Sequence, residues 1–345
     1  MSDDFRHRYG PWALVAGAAV GLGAEWARQL AARGLNVILI DRDAAPLART
    51  AQSITDATGS ETRALVLDLA KADVAEAVSA ATAELELGLL VYNAAVGTVS
   101  PFLSLSRGNM QAMLDVNCRA PMLLVHALAP ALVARGRGGI VLMSSMSGNF
   151  GSSQLAVYAA TKAFDLVFAD ALWAELGEKG VDVLAVQPGS TRTPGWQSSQ
   201  PPELQGPGPH VMEPEQVITE ALAALGKEPV LIPGDQNRQG AALLATLPRR
   251  QAIEFVSGIT RSLLPTRRNY TPTGRPSFKA SHPRTIRYST QKPVATTMSH
   301  ASGMPRIVTT SMMATTTHST ANQNVRICHR KCDSRNVPRT SLRFA

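Results

Sequence analysis

Trp12-Ala13-Leu14-Val15-Ala16-Gly17-Ala18-Ala19-Val20-Gly21-Leu22-Gly23 is the stretch on which the reading of this chain turns. Five apolar residues read as a buried strand, the glycines as a tight turn, and Ala24 to about Arg33 as a helix opening straight out of that turn. Strand, glycine turn and helix in this order make a place for a diphosphate. Glycines let the backbone come close, and the first amides of the helix meet the negative charge. Such a turn can also serve packing alone, so its meaning depends on the segments downstream of Gly23.

A second strand, Asn36–Ile40, ends in Asp41-Arg42-Asp43, eighteen residues beyond Gly23. A carboxylate at that place can accept both ribose hydroxyls of NAD and would repel the extra phosphate of NADP. Arg42 is the base that follows it directly. Helix then alternates with strand: a helix from about Ala44 to Ala57, a strand from Arg63 to Leu67 ending in Asp68-Leu69, and a helix from about Lys71 to Leu87. The strand Leu89-Leu90-Val91 closes in Tyr92-Asn93-Ala94-Ala95. Long helices at Ser104–Val116 and Arg119–Ala134 are interrupted around Asn117 to Pro121, since proline cannot complete a helix hydrogen bond. Ile140–Met143 is a strand ending in Ser144-Ser145, and Val181–Gln187 another, closed by Pro188-Gly189 and the following Thr193-Pro194. A helix from Glu213 to Leu225, an edge strand over Pro229–Gly234 and helical residues from Gln239 to about Leu264 complete the pattern. The alternation predicts an α/β chain: a Rossmann-like, doubly wound parallel sheet with helices on both faces and a ligand across the strands' C-terminal ends.

Between the last two long strands lies Gln154-Leu155-Ala156-Val157-Tyr158-Ala159-Ala160-Thr161-Lys162-Ala163-Phe164. As a helix it sets a phenol and an ammonium one turn apart on one face. A tyrosine loses its proton near pH ~10, and a neighbouring lysine charge favours the tyrosinate, which suits acid–base work. Tyr-x-x-x-Lys is common by chance, but Ser145 at a strand end just upstream can face the same carbonyl oxygen.

These motifs, in this order, resemble the short-chain dehydrogenase/reductase family (SDR) over roughly residues 10 to 250. The resemblance implies that Gly17, Gly21 and Gly23 carry the diphosphate, that Asp68 holds the adenine amino group and that Leu69 lines its pocket. Asp68 is equally an ordinary N-cap for the next helix. It implies that Asn93 ties adjacent strands together, and that Pro188 and Thr193 enclose the nicotinamide end. Ser145 would then position a substrate oxygen, Tyr158 exchange the proton, and Lys162 bind the ribose and lower the tyrosine pKa. Asn117 would complete a proton path through a water, although it can also stabilise a kink by itself. The chain departs from the family pattern at Ala16, where Thr is usual, and at Tyr92 and Ala95, where Asn and Gly are. In family members that use NADP a base commonly sits just after this strand to hold the phosphate, as Arg42 would; Asp41, with no second base at Ala18 or Ala19, leads us to expect NAD over NADP. The implied activity is hydride transfer between nicotinamide and a ketone or secondary alcohol: an NAD(P)-dependent alcohol dehydrogenase or carbonyl reductase, paired as a homodimer or homotetramer through helices 104–134 and 154–178. The substrate's identity is not written in these motifs.

The 345 residues, 45% hydrophobic and 17% charged, suffice for one large core with an appendage. One domain is expected over 1–265, and a Thr/Ser-rich disordered tail over 266–345. The net charge of +8 resides in that tail, which holds 14 of the 34 Lys and Arg and one acid, Asp333. The remaining 20 bases and 25 acids leave residues 1–265 mildly acidic, with nothing to invite a polyanion. No unbroken run of eighteen apolar residues and no signal-like apolar stretch appear. Three cysteines make no disulfide framework, so a reducing cytoplasm is expected. Cys118 reads as a small buried residue, and Cys328 and Cys332 lack the second pair that a closed zinc site needs. Residues 195–212, rich in Gly and Pro, read as a loop over a substrate or a plain surface connection. Two alternatives stand beside the enzyme: a catalytically silent dinucleotide-binding regulator, and nucleic-acid binding through the basic tail.

Overall fold

The computed structural model describes residues 2–199 and 211–263. The expected tail and most of the expected loop at 195–212 lie outside them. Seven strands, β1 (Trp12–Ala16), β2 (Asn36–Asp41), β3 (Thr62–Val66), β4 (Leu87–Tyr92), β5 (Gly138–Met143), β6 (Val181–Val186) and β7 (Val230–Leu231), form one parallel sheet in the order β3-β2-β1-β4-β5-β6-β7. Strand order reverses between β1 and β4, and the crevice outside their C-terminal ends is where such sheets take ligands.

Side chains alternate across the sheet, and both faces are buried. Ala13, Val15, Val37, Leu39, Val91 and Val141 pack beneath Trp26 and Leu30 of α2 (Gly21–Ala31), Leu47 of α3 (Ala44–Thr58) and Val217 and Ala221 of α9 (Pro214–Ala224). Leu14, Ile38, Ile40, Leu90 and Leu142 face Val78 of α4 (Val74–Thr82), Leu124 and Leu132 of α6 (Ala120–Arg135) and Ala169 of α7 (Ala156–Gly177). The remaining helices are α1 (Ser2–Tyr9), α5 (Arg107–Leu114), α8 (Pro194–Ser199), α10 (Asp235–Thr246) and α11 (Arg249–Leu263).

Two expectations are corrected, and one element is added. The helix drawn from Lys71 to Leu87 is only the nine residues of α4. Asp68 accepts from Ala70 N (2.9 Å) in a local turn, and pairing of Leu87 with Trp12 pulls the far end into the sheet against the helical preference of an Ala-rich segment. Asp68 therefore caps no helix; Asp73 stands at that position.

The second correction concerns the break at 117–121. Helix runs from Arg107 to Arg135 through a π turn at Asp115–Arg119, where Ala120 N reaches back to Asp115 O. The wider turn takes up the residue that Pro121 could not bond. By length and composition this helix could cross a bilayer; here it is a layer helix, with Leu124, Val125 and Leu132 in the core.

The added element is α1, which the sequence reading does not draw. Arg8 grips Asp182 through Nε and Nη2 (2.7 Å each), and Tyr9 Oη donates to the same carboxylate at 2.6 Å. Burial, helped by this bond, pushes the Tyr9 phenol pKa above its ordinary value.

Candidate active site

The glycine turn is held from both sides. Gly17 N and Ala18 N donate to Ile40 O, while Asn93 N and Ala94 N donate to Ala16 O. Asn93 Nδ2 adds a bond to Gly17 O at 2.8 Å. Gly17 has φ +80°, and a Cβ there would lie 2.6 Å from Ala94 Cα; at Gly23 it would strike Gly17 O. Only glycine allows this close passage. Val20 provides no side-chain cap to α2, and no acid stands in the first turn, so the helix's leading amides face the crevice uncompensated. This fits a diphosphate.

At the end of β2, Asp41 Oδ2 accepts from Ala19 N (3.0 Å) and Oδ1 from Asp43 N (3.3 Å). The carboxylate is thereby fastened to the glycine turn. Arg42 is exposed, with no ion pair among the described residues. Asp68 is exposed at the end of β3, whereas Leu69 is 6% exposed and belongs to the core.

Across the crevice, Ser145 follows β5. Its hydroxyl accepts from Ser147 N (3.1 Å) and pairs with Ser147 Oγ, and Met146 N donates to Pro188 O, so the loops after β5 and β6 hold each other. Thr193 Oγ1 accepts from Trp196 N at 3.1 Å. A Cβ on Gly21 would lie 3.1 Å from Thr193 Cβ, which places that residue against the glycine turn.

Tyr158 stands on the first turn of α7, partly buried, its ring beside Gly97. Its hydroxyl makes no hydrogen bond to any described residue and is free for a ligand. Asn117 is fully buried in the π turn. Its Oδ1 accepts from Val96 N, and its Nδ2 donates to Val96 O and to Thr161 Oγ1 (2.8–2.9 Å), joining the loop after β4 to the helix of Tyr158. Thr161 Oγ1 in turn donates to Tyr158 O.

Lys162 has protein partners that the sequence motifs do not name. Its Nζ donates to Met143 O (2.7 Å) and to Asp165 Oδ2 (2.9 Å), with both side chains almost wholly buried. Two of its three donors are thus taken within the protein. Asp165 is a site residue that the sequence motifs miss, and its Oδ1 is buried without a partner. Burial pushes this carboxyl above the ordinary range against the pull of Lys162. The one available signal is an acid at the i+3 position after Lys162, on a helix face that otherwise presents Ala159, Ala169 and Leu176 to the core. Cys118, beside this group, has its thiol pushed up to about 11, chiefly by burial.

With this geometry in view, comparisons with known proteins converge. The short chain dehydrogenase family model matches residues 11–204. A 7beta-hydroxysteroid dehydrogenase of Clostridium sardiniense is 33% identical over 236 residues, covering 68% of this chain and 90% of the relative. The human inactive hydroxysteroid dehydrogenase-like protein 1 is 36% identical over 188 residues, 54% of this chain and 57% of that protein. Among solved structures, one from work on 7beta-hydroxysteroid dehydrogenase stereoselectivity superposes with a TM-score of 0.69 at 30% identity, over 74% of this chain and 99% of its own. A short-chain dehydrogenase from Sphingobium yanoikuyae in complex with NADPH gives 0.60 at 29% identity, over 70% and 97%. The chain belongs to the short-chain dehydrogenase family, oxidoreductases built on an NAD(P)-binding Rossmann-like sheet.

Proposed function

We propose that this protein transfers a hydride between nicotinamide and a ketone or secondary alcohol, with Tyr158 as the group that exchanges the proton. The supporting observation is the Tyr158 hydroxyl, without a partner among the described residues, on the turn of α7 that follows the Ser145 loop. A bound dinucleotide supplies or accepts the hydride; the protein's part is to hold, orient and move a proton. Gly17, Gly21 and Gly23 admit the diphosphate to the amides of α2. Ser145 orients the substrate oxygen, Tyr158 gives a proton to the forming alkoxide or takes one from the alcohol, and Lys162 steadies the tyrosinate charge. Asn117 holds the loop of Val96 against α7, and with it the wall of the crevice.

NAD is the proposed dinucleotide. Asp41 is fastened to the glycine turn, so a fixed negative charge stands where the additional phosphate of NADP would come. Arg42 and the NADPH-bound relative weigh on the other side. A groove of about 570 Å³ adjoins the residues after Ser145, lined by Phe150, Ile232, Ala241, Ala242 and Ala245 and also by Asn149, Gln187, Arg238 and Arg249. Its size, together with the hydroxysteroid relatives, favours a bulky alcohol with both apolar and polar parts. Exposed Leu114, Met122, Val167 and Trp173 on α5, α6 and α7 support pairing of copies along these helices.

The test is a panel of secondary alcohols and ketones, hydroxysteroids included, assayed with both dinucleotides, together with Tyr158→Phe. The variant is expected to keep dinucleotide binding and lose turnover. Turnover at the parent rate would remove Tyr158 from the reaction. The second reading, a silent dinucleotide-binding protein, is favoured by the inactive human relative and by the commitment of Lys162 to Asp165. Tight binding with no turnover across the panel would establish it.

A further inference from the structure

We infer that Asp165 is a positioning residue that sets the charge felt by Tyr158, by turning Lys162 into one half of a buried, nearly neutral ion pair. The inference rests on the reading of Tyr158 as the proton-exchanging group. Tyr158, Lys162 and Asp165 lie at i, i+4 and i+7 on α7, so all three share one face over two turns. Lys162 has its ammonium between Met143 O and Asp165 Oδ2, and both charged side chains are withdrawn from water, at 3% and 4% side-chain exposure. A lysine alone at this site would present a full positive charge to the phenol; with Asp165 ionised it presents a dipole.

A second observation marks Asp165 as more than a structural acceptor. Its Oδ1 is buried with no hydrogen-bond partner, an arrangement that protein interiors seldom leave without a reason. Among the described residues, the other titratable groups that feel this carboxylate are Tyr92 on β4 and Cys118 in the π turn, and both are held in their neutral forms, with pKa values raised first by burial and then by Asp165. Neither offsets the charge of Asp165 near neutral pH, so Lys162 is its counter-ion.

The magnitude follows from the helix. Seven residues at 1.5 Å rise put Asp165 about 10 Å from the level of Tyr158. One unit charge at that distance, in an effective dielectric of about 20, moves a pKa by roughly one unit. Removing the negative charge leaves Lys162 uncompensated and favours the tyrosinate, so the Tyr158 midpoint must fall.

The experiment is a tyrosinate absorbance titration of the full-length protein free of dinucleotide, with the Tyr158 signal isolated by subtracting the Tyr158→Phe titration in the same background. Asp165→Asn is expected to lower the Tyr158 midpoint by about one pH unit and to move the pH profile of alcohol oxidation the same way. Asp165→Glu, which keeps the charge, should restore both to within a few tenths. Asp165→Thr, neutral but still able to accept from Lys162, is the second variant should Asp165→Asn not fold, with the same shift expected. A midpoint unchanged in a folded neutral variant overturns the proposal. A shifted midpoint in the free protein with an unmoved pH profile leaves the field of Asp165 standing and faults Tyr158 as the catalytic acid.

Discussion

The side-chain amide of Asn93 donates to Gly17 O across 2.8 Å, so the end of β4 clasps the glycine turn at the end of β1. These are the two strands between which the sheet order reverses. The bond therefore shapes the mouth of the crevice from beneath. Asn93→Ala leaves Gly17 O without this donor and is expected to cost about 1–3 kcal/mol, felt as weaker dinucleotide binding. Titration calorimetry should show a dissociation constant raised roughly 5- to 150-fold; an unchanged constant would mean that the backbone bonds to Ala16 O hold the turn unaided.

Replacing Asn117 by Leu removes three hydrogen bonds from a fully buried site and strands both polar groups of Val96. We expect a loss of about 3 kcal/mol, which at this size lowers Tm by roughly 10 °C. Calorimetry and turnover should decline together, because the loop of Val96 and the helix of Tyr158 separate. A variant with parent Tm but no activity would point to a proton path rather than a clasp.

The choice of dinucleotide turns on two adjacent residues. Asp41→Asn keeps an acceptor for Ala19 N while removing the charge, and should raise the ratio of kcat/KM with NADP to that with NAD at least about 10-fold, or about 1.4 kcal/mol. Arg42→Leu should lower the same ratio. An unmoved ratio in both variants would place the discrimination elsewhere.

The N-terminal clamp joins Arg8 and Tyr9 to Asp182. The Arg8 side chain is 42% exposed, so its ion pair is screened and contributes little. Tyr9 is 5% exposed, and its stranded hydroxyl dominates the cost of Asp182→Ala, about 1–3 kcal/mol. Asp182→Asn, which still accepts from Tyr9, should recover most of this in urea unfolding.

Alkaline pH should destabilise the fold. Burial raises Cys118 to about 11 and lifts Tyr9 and Tyr92 above the ordinary phenol range. The unfolded chain gives up these protons from pH ~8.5 to 10, before the folded chain does. Their contribution is complete below that range and is lost as pH rises toward the folded values. Thermal unfolding from pH 8 to 11 should show a falling Tm, with a shallower slope in Tyr92→Phe.

The strand–turn–helix signals are legible because they are local. Gly17 and Gly23 announce a backbone that no side chain tolerates, and the alternation of elements dictates a parallel sheet. The features that escape a sequence reading depend on distance or phase. Arg8, Tyr9 and Asp182 meet across more than 170 residues, with no pattern to link them. The end of α4 yields to pairing between Trp12 and Leu87. Asp165 stands in plain view three residues after Lys162, but an acid in a helix signifies burial only once the rotation of that helix against the sheet is known. The direction of the Lys162 ammonium depends on the same unknown.

The π turn at Asp115–Arg119 holds one residue more than an α-helical repeat. Its effect resembles a splice in a threaded rod: the two halves share an axis but are offset by about 100° in azimuth. The first half, α5, can therefore address α7 while the second, α6, addresses α4 and the sheet, so one continuous rod serves two sets of neighbours. A single-residue deletion there would cancel the offset and turn Asn117 off its bearing. Chains of this lineage that gain or lose one residue at this point would be expected to have rebuilt the whole wall facing Val96.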